Sequence, residues 1–105
     1  MAWLYLFSAG ILEIVWAFTM KQSDGFTRPM PTAITIVTMI GSFALLSLAM
    51  RSLPLGTAYT IWTGIGAVGA FLVGVTAHGE SLTPMRIAAA TLIVSGLVMM
   101  KLSAS

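Results

Sequence analysis

The stretch Ala2-Trp3-Leu4-Tyr5-Leu6-Phe7-Ser8-Ala9-Gly10-Ile11-Leu12-Glu13-Ile14-Val15-Trp16-Ala17-Phe18-Thr19-Met20 carries a single carboxylate and no basic side chain, Glu13 standing in a mostly apolar run. A helix needs about 20 mostly apolar residues to cross roughly 30 Å of hydrocarbon, with each backbone polar group satisfied inside the segment. This run meets that requirement. It stops at Lys21, followed by the polar turn Gln22-Ser23-Asp24-Gly25. The expectation is a transmembrane helix over about residues 2–20, with Glu13 well inside the hydrocarbon layer.

Three further runs have the same character. One lies at about 30–50, between Arg28 and Arg51, with Pro29 and Pro31 at its start, where a missing N–H costs least. The next follows Leu53-Pro54-Leu55-Gly56, at about 56–77. The last, at about 84–101, is short, so Arg86 and Lys101 are expected to snorkel to opposite interfaces. The fold class expected is an all-α membrane protein of four short transmembrane helices, one domain over residues 1–105.

Composition agrees. The chain is 58% hydrophobic and 8% charged, whereas a soluble domain carries about a quarter charged residues. The net charge of +2 is spread over the ends of apolar runs, as interfacial anchors are, and not as a nucleic-acid patch. With no cysteine and one histidine, disulfides are excluded and a metal site lacks ligands; no cofactor is expected. The N-terminal run has no basic leader and carries Glu13 where a signal peptide is purely apolar, so it is expected to be retained.

Four spans place Arg51 and Lys101 on one side of the membrane and Lys21, Arg28 and Arg86 on the other. Lys/Arg asymmetry normally sets orientation. Here it is nearly absent, which predicts insertion both ways. Inverted repeats are how many transporters obtain alternating access, and an antiparallel homodimer would supply that inversion between chains.

Ionisable residues within spans usually face the bundle interior and serve ion or proton pathways. The alternative for Glu13 is a protonated side chain joining two helices. Gly10 and Trp16 lie three residues to either side, on the same face. Gly10 is expected to leave space beside the carboxyl group, while the Trp16 indole offers an N–H to a carboxylate and a π-face to a cation. Trp16 also has a reading as an interfacial belt residue, a role for which Trp3 is better placed.

In the second run Thr35, Thr38 and Ser42 share a face, with Ser42 at a depth comparable to Glu13; such hydroxyls also often bond to their own helix. The third run sets Tyr59 and Trp62 three residues apart, with Gly66 and Gly69 continuing the face. Such aromatics are often interfacial anchors, and the glycines permit close approach or a bend. Ala89 and Gly96, with Ala88, Ala90 and Ser95, suggest a dimer seam or tight packing within the chain. His78-Gly79-Glu80 falls in a loop where both side chains can be solvated.

Taken together, Leu12-Glu13-Ile14-Val15-Trp16-Ala17, Gly25-Phe26-Thr27-Arg28 and Ser52-Leu53-Pro54-Leu55-Gly56-Thr57-Ala58-Tyr59-Thr60-Ile61-Trp62-Thr63-Gly64-Ile65-Gly66-Ala67 resemble the small multidrug resistance family of bacterial transporters. The resemblance covers essentially the whole chain. It implies a multi-pass protein of the cell inner membrane, assembled as an antiparallel homodimer that exchanges protons for cations. Trp16 and Lys101 resemble the guanidinium-exporter subtype. By position, the resemblance implies a site of Glu13 hydrogen-bonded by Trp16 and Ser42, with Tyr59 and Trp62 around it, and a helix bend at Gly64-Ile65-Gly66. Thr60, His78 and Met99 depart from the family's usual Ala, apolar residue and Gly, and none of them touches the implied site.

Guanidinium also fits the chemistry of these side chains. It is planar, weakly hydrated, rich in N–H donors that match a carboxylate, and stacks on aromatic faces. The expected function is proton-coupled export of guanidinium or a close analogue, with protons and substrate competing for paired Glu13 residues. The alternatives are export of quaternary ammonium or polyaromatic cations on the same scaffold, and a non-transporting membrane subunit. No nucleophile and base pair suggests an enzyme.

Overall fold

The computed structural model describes residues 1–103. Among these, the chain forms four helices and no strand: α1 (Ala2–Gln22), α2 (Pro29–Ala49), α3 (Leu55–Ala77) and α4 (Pro84–Ser103), each long and apolar enough to cross a membrane. α1 and α4 each run two residues past the expected ends at 20 and 101. Each of the two helices carries a basic residue in its last turn, Lys21 and Lys101, where the helix dipole favours a cation.

Short turns join the helices. After α1, the Ser23 carbonyl accepts from the amides of Thr27 and Arg28 at 2.9 and 3.0 Å, and the Ser23 hydroxyl donates to the Met20 carbonyl at 2.6 Å. The tightness of this turn places Asp24, Gly25 and Phe26 at positive φ. Pro29 then opens α2, as its fixed φ and absent N–H permit. Pro54 precedes α3 in an extended conformation.

α1 lies between α2 and α3, whereas α4 packs on α3 and buries none of its residues completely. Side chains alone carry α4 back to α1: Lys101 Nζ stands 4.7 Å from the centroid of the Trp3 ring. The buried core, Leu6, Ala9, Leu46, Ala49, Ala58, Ile61 and Trp62, belongs to α1, α2 and α3 only. The four helices form a slab of 42 × 35 × 16 Å, little thicker than one helix of about 10–12 Å with its side chains. Large apolar side chains such as Ile11, Val37, Ile40, Leu92 and Val98 point outward from it, as a lipid-facing surface requires.

Candidate functional site

Glu13 projects from the middle of α1 onto α3. Its carboxyl group occupies the space that Gly66 leaves: a Cβ built on Gly66 would overlap Oε1 and Cδ and stand 2.9 Å from Cγ. The absence of a side chain at Gly66 is therefore what admits this carboxyl group between the helices. Glu13 Oε1 is buried and has no hydrogen-bond partner, and the same is true of Trp16 Nε1. An acceptor and a donor thus lie one helical turn apart on α1, both unsatisfied. Native structures seldom leave buried polar groups so, and where they do a ligand, water or functional role is the usual reason.

Ser42 holds the three core helices together. It is fully buried on α2, donates its proton to the Ala9 carbonyl of α1 at 2.6 Å, and accepts from Trp62 Nε1 of α3 at 3.0 Å. Its one proton is committed to Ala9. The hydrogen bonds to Glu13 that the family resemblance implied for Trp16 and Ser42 are consequently not formed: Trp16 Nε1 is free, and Ser42 instead orients Trp62.

An aromatic row crosses from α1 through α2 to α3. Trp16 meets Phe43 edge-on at 6.3 Å and 70°, Phe43 meets Trp62 at 5.7 Å, and Trp62 meets Tyr59 at 5.6 Å. Trp62 is buried, while Tyr59 and Phe43 are exposed on the surface of the single chain. Phe43 links the Trp16 and Trp62 rings, and the sequence reading passed over it. The available signal was its place directly after Ser42, an aromatic ring at mid-span depth.

Other expected roles resolve differently. Gly10 does not leave room beside Glu13; the Ile65 side chain of α3 takes that space, with Cγ2 2.7 Å from where a Gly10 Cβ would stand. α3 is an uninterrupted helix through Gly64-Ile65-Gly66, where Gly64 admits Leu97 of α4 and Gly66 admits Glu13. The hydroxyl stripe of α2 divides. Thr35 is buried against Thr19 of α1 at 2.7 Å, whereas Thr38 bonds back to the Ile34 carbonyl of its own helix. On α4, Ala89 is exposed and the space around Gly96 is open. Among the described residues no group of His, Cys, Asp and Glu is placed to hold a metal ion.

A carboxyl group in a glycine notch, with an unpaired indole N–H one turn away on the same helix, is an acceptor suited to a small cation. The comparisons point the same way. Residues 1–93 match the family described as Small Multidrug Resistance protein. Proteins named "Guanidinium exporter" from Escherichia coli K12, Citrobacter freundii and Salmonella typhimurium are each 54% identical to this chain over 103 residues, covering 98% of either sequence. With four membrane-spanning helices and this match, the chain is a multi-pass protein of the bacterial inner membrane and belongs to the small multidrug resistance family of transporters.

Proposed function

We propose that this protein exports guanidinium, or closely related guanidinyl cations, in exchange for protons. The observation that carries the reading is the unpartnered Glu13 Oε1, buried in the Gly66 notch, together with the unpartnered Trp16 indole one turn along α1 and the aromatic row that begins at its ring. A guanidinium ion donates N–H groups in a plane and accepts none. Its N–H groups complement the Glu13 oxygens, and its faces complement the rings. The Trp16 indole N–H, unpartnered one turn away, is another donor of the kind a carboxylate accepts. The names of the 54% identical relatives support this substrate and support a transporter over an enzyme or a structural subunit.

Proton coupling follows from the single carboxyl group. A cation binds strongly only to the ionised form, and a proton removes that form, so the two ligands exclude each other. Alternating access then requires that the site face one side at a time.

The slab-like chain supports assembly as an antiparallel homodimer. The slab is 16 Å thick, and Tyr59 and Phe43 lie on its exposed surface next to the buried Trp62, where a second copy would cover them. A second copy in inverted orientation would close the site and bring two Glu13 side chains together. The exposed Ala89 and the open space at Gly96 make α4 the candidate seam, and Gly64 and Gly66 the candidate flexing point of α3.

The test is proton-driven guanidinium uptake by the purified protein in liposomes, measured beside a bulky quaternary ammonium ion. The reading expects guanidinium transport that collapses with the pH gradient. Preferential transport of the bulky cation would favour a drug-exporter role, and no transport of either would favour a structural subunit.

A further inference from the structure

Glu80 and Gly74 repeat, at the end of α3, the arrangement of Glu13 and Gly66 at its middle. The Glu80 carboxyl group lies where a Gly74 side chain would stand: a Cβ there would overlap Oε2 and come within 2.6 Å of Cδ. The backbone holds it in place. The amides of His78 and Glu80 both donate to the Gly74 carbonyl at 3.1 Å, and Gly79 between them takes φ 66°, which folds the loop back over the helix end.

Gly66, Ala70 and Gly74 form one i, i+4, i+8 ridge, so the two carboxyl seats are about 12 Å apart along the helix axis. From the outer seat a cavity of about 150 Å³ runs along the α1/α3 seam, past Lys21 and His78, as far as Ala17 and Ala70. Ala17 is one turn beyond Glu13.

The outer seat already holds a guanidinium group. Arg86 Nη2 donates to Glu80 Oε1 at 3.1 Å, and Arg86 Cζ stands 5.2 Å from the centroid of the Phe71 ring. A planar cation between a carboxylate and a phenyl face is what a free guanidinium ion would seek. The head of Arg86 is that ion with a tether.

We infer that Glu80, Phe71 and Gly74 form an outer station for the transported cation, and that Arg86 is its tethered occupant, displaced when free guanidinium arrives. The inference rests on the guanidinium reading above. Both partners of the internal pair are partly exposed, 39% for Arg86 and 46% for Glu80, and exposed ion pairs are weak and exchange readily. Such a pair suits a waiting position, because it holds a cation at the loop face without trapping it. Lys21 lines the cavity on the α1 side of Glu80, whereas Arg86 and Phe71 line a separate one toward α4, so the Glu80 carboxyl group stands between the two.

The test uses the full-length protein in detergent on a Glu13→Gln background, which silences the central site. Guanidinium chloride is titrated while the Gly74 and Glu80 amide resonances are followed by NMR. The station predicts saturable shifts. It predicts binding roughly fivefold tighter when Arg86→Gln removes the weak exposed pair, and no binding when Glu80→Gln is added. Arg86→Lys keeps the charge but not the planar fork; it should also tighten binding, which guards against a disturbed loop in Arg86→Gln. Identical titrations with and without Glu80→Gln, or shifts reproduced by sodium chloride, would overturn the station. If the protein with Glu13 intact still binds guanidinium, only the station falls; if it does not, the guanidinium reading falls too.

Discussion

Glu13 on α1 and Gly66 on α3 share one volume: the carboxyl group of the first fills the place where the second has no side chain. The central site therefore depends on a glycine that offers no chemistry of its own. Gly66→Ala inserts a methyl group into the carboxyl seat. Overpacking of this kind costs about 1–3 kcal/mol, and here the movable partner is Glu13 itself. Guanidinium affinity, measured by calorimetry, should fall about tenfold while the helical circular dichroism is kept. Unchanged affinity would mean that the carboxyl group works from elsewhere.

Ser42 is expected to matter chiefly for the structure that holds Trp62. Ser42→Ala strands the buried Trp62 indole N–H and removes the interhelix bond of the Ala9 carbonyl, which keeps its own helical partner. Leaving a buried group unpaired costs about 1–3 kcal/mol. Thermal unfolding in detergent should shift downward, and the Trp62 environment, read by fluorescence, should change with it. A variant with wild-type stability and an unaltered spectrum would show that Ser42 does not orient the indole.

Trp16 presents a buried N–H with no acceptor, one turn along α1 from Glu13. Trp16→Gly should weaken guanidinium binding and admit larger cations. Competition binding with guanidinium and a bulky quaternary ammonium ion measures both effects. If neither affinity moves, Trp16 only packs against Phe43.

The near balance of Arg51 and Lys101 against Lys21, Arg28 and Arg86 predicts two orientations in one membrane. A single cysteine placed in the α1–α2 turn near Arg28 should label from both sides in intact cells. Labelling from one side alone would rule out the antiparallel dimer.

The four helices were legible because crossing a bilayer imposes length and hydropathy directly on the sequence. The mid-span depth of Glu13 was legible from its place in an apolar run, and the contact of Tyr59 with Trp62 from their helical spacing. Partners between helices were not. Whether Ser42 reaches Glu13, or the Ala9 carbonyl and Trp62, depends on how α2 is rotated against α1, which periodicity within one helix does not encode. The same holds for Gly10, whose space is filled by Ile65 from another helix. Phe43 was hidden for a related reason: a lone aromatic in an apolar span reads as lipid-facing until the rings on either side of it are placed.

The account depends most on Glu13 as the shared site of proton and cation. Guanidinium binding measured across pH, in the wild-type protein and in Glu13→Gln, tests this directly. The predicted result has a definite sign: apparent affinity falls as pH drops through the Glu13 titration, and binding releases protons into unbuffered solution. Glu13→Gln keeps the size of the side chain but cannot ionise, so it should lose the pH-dependent, proton-releasing binding and all exchange while remaining folded, leaving only the weak binding at the outer Glu80 station. A Glu13→Gln protein that still binds guanidinium and couples its movement to protons would contradict the mechanism.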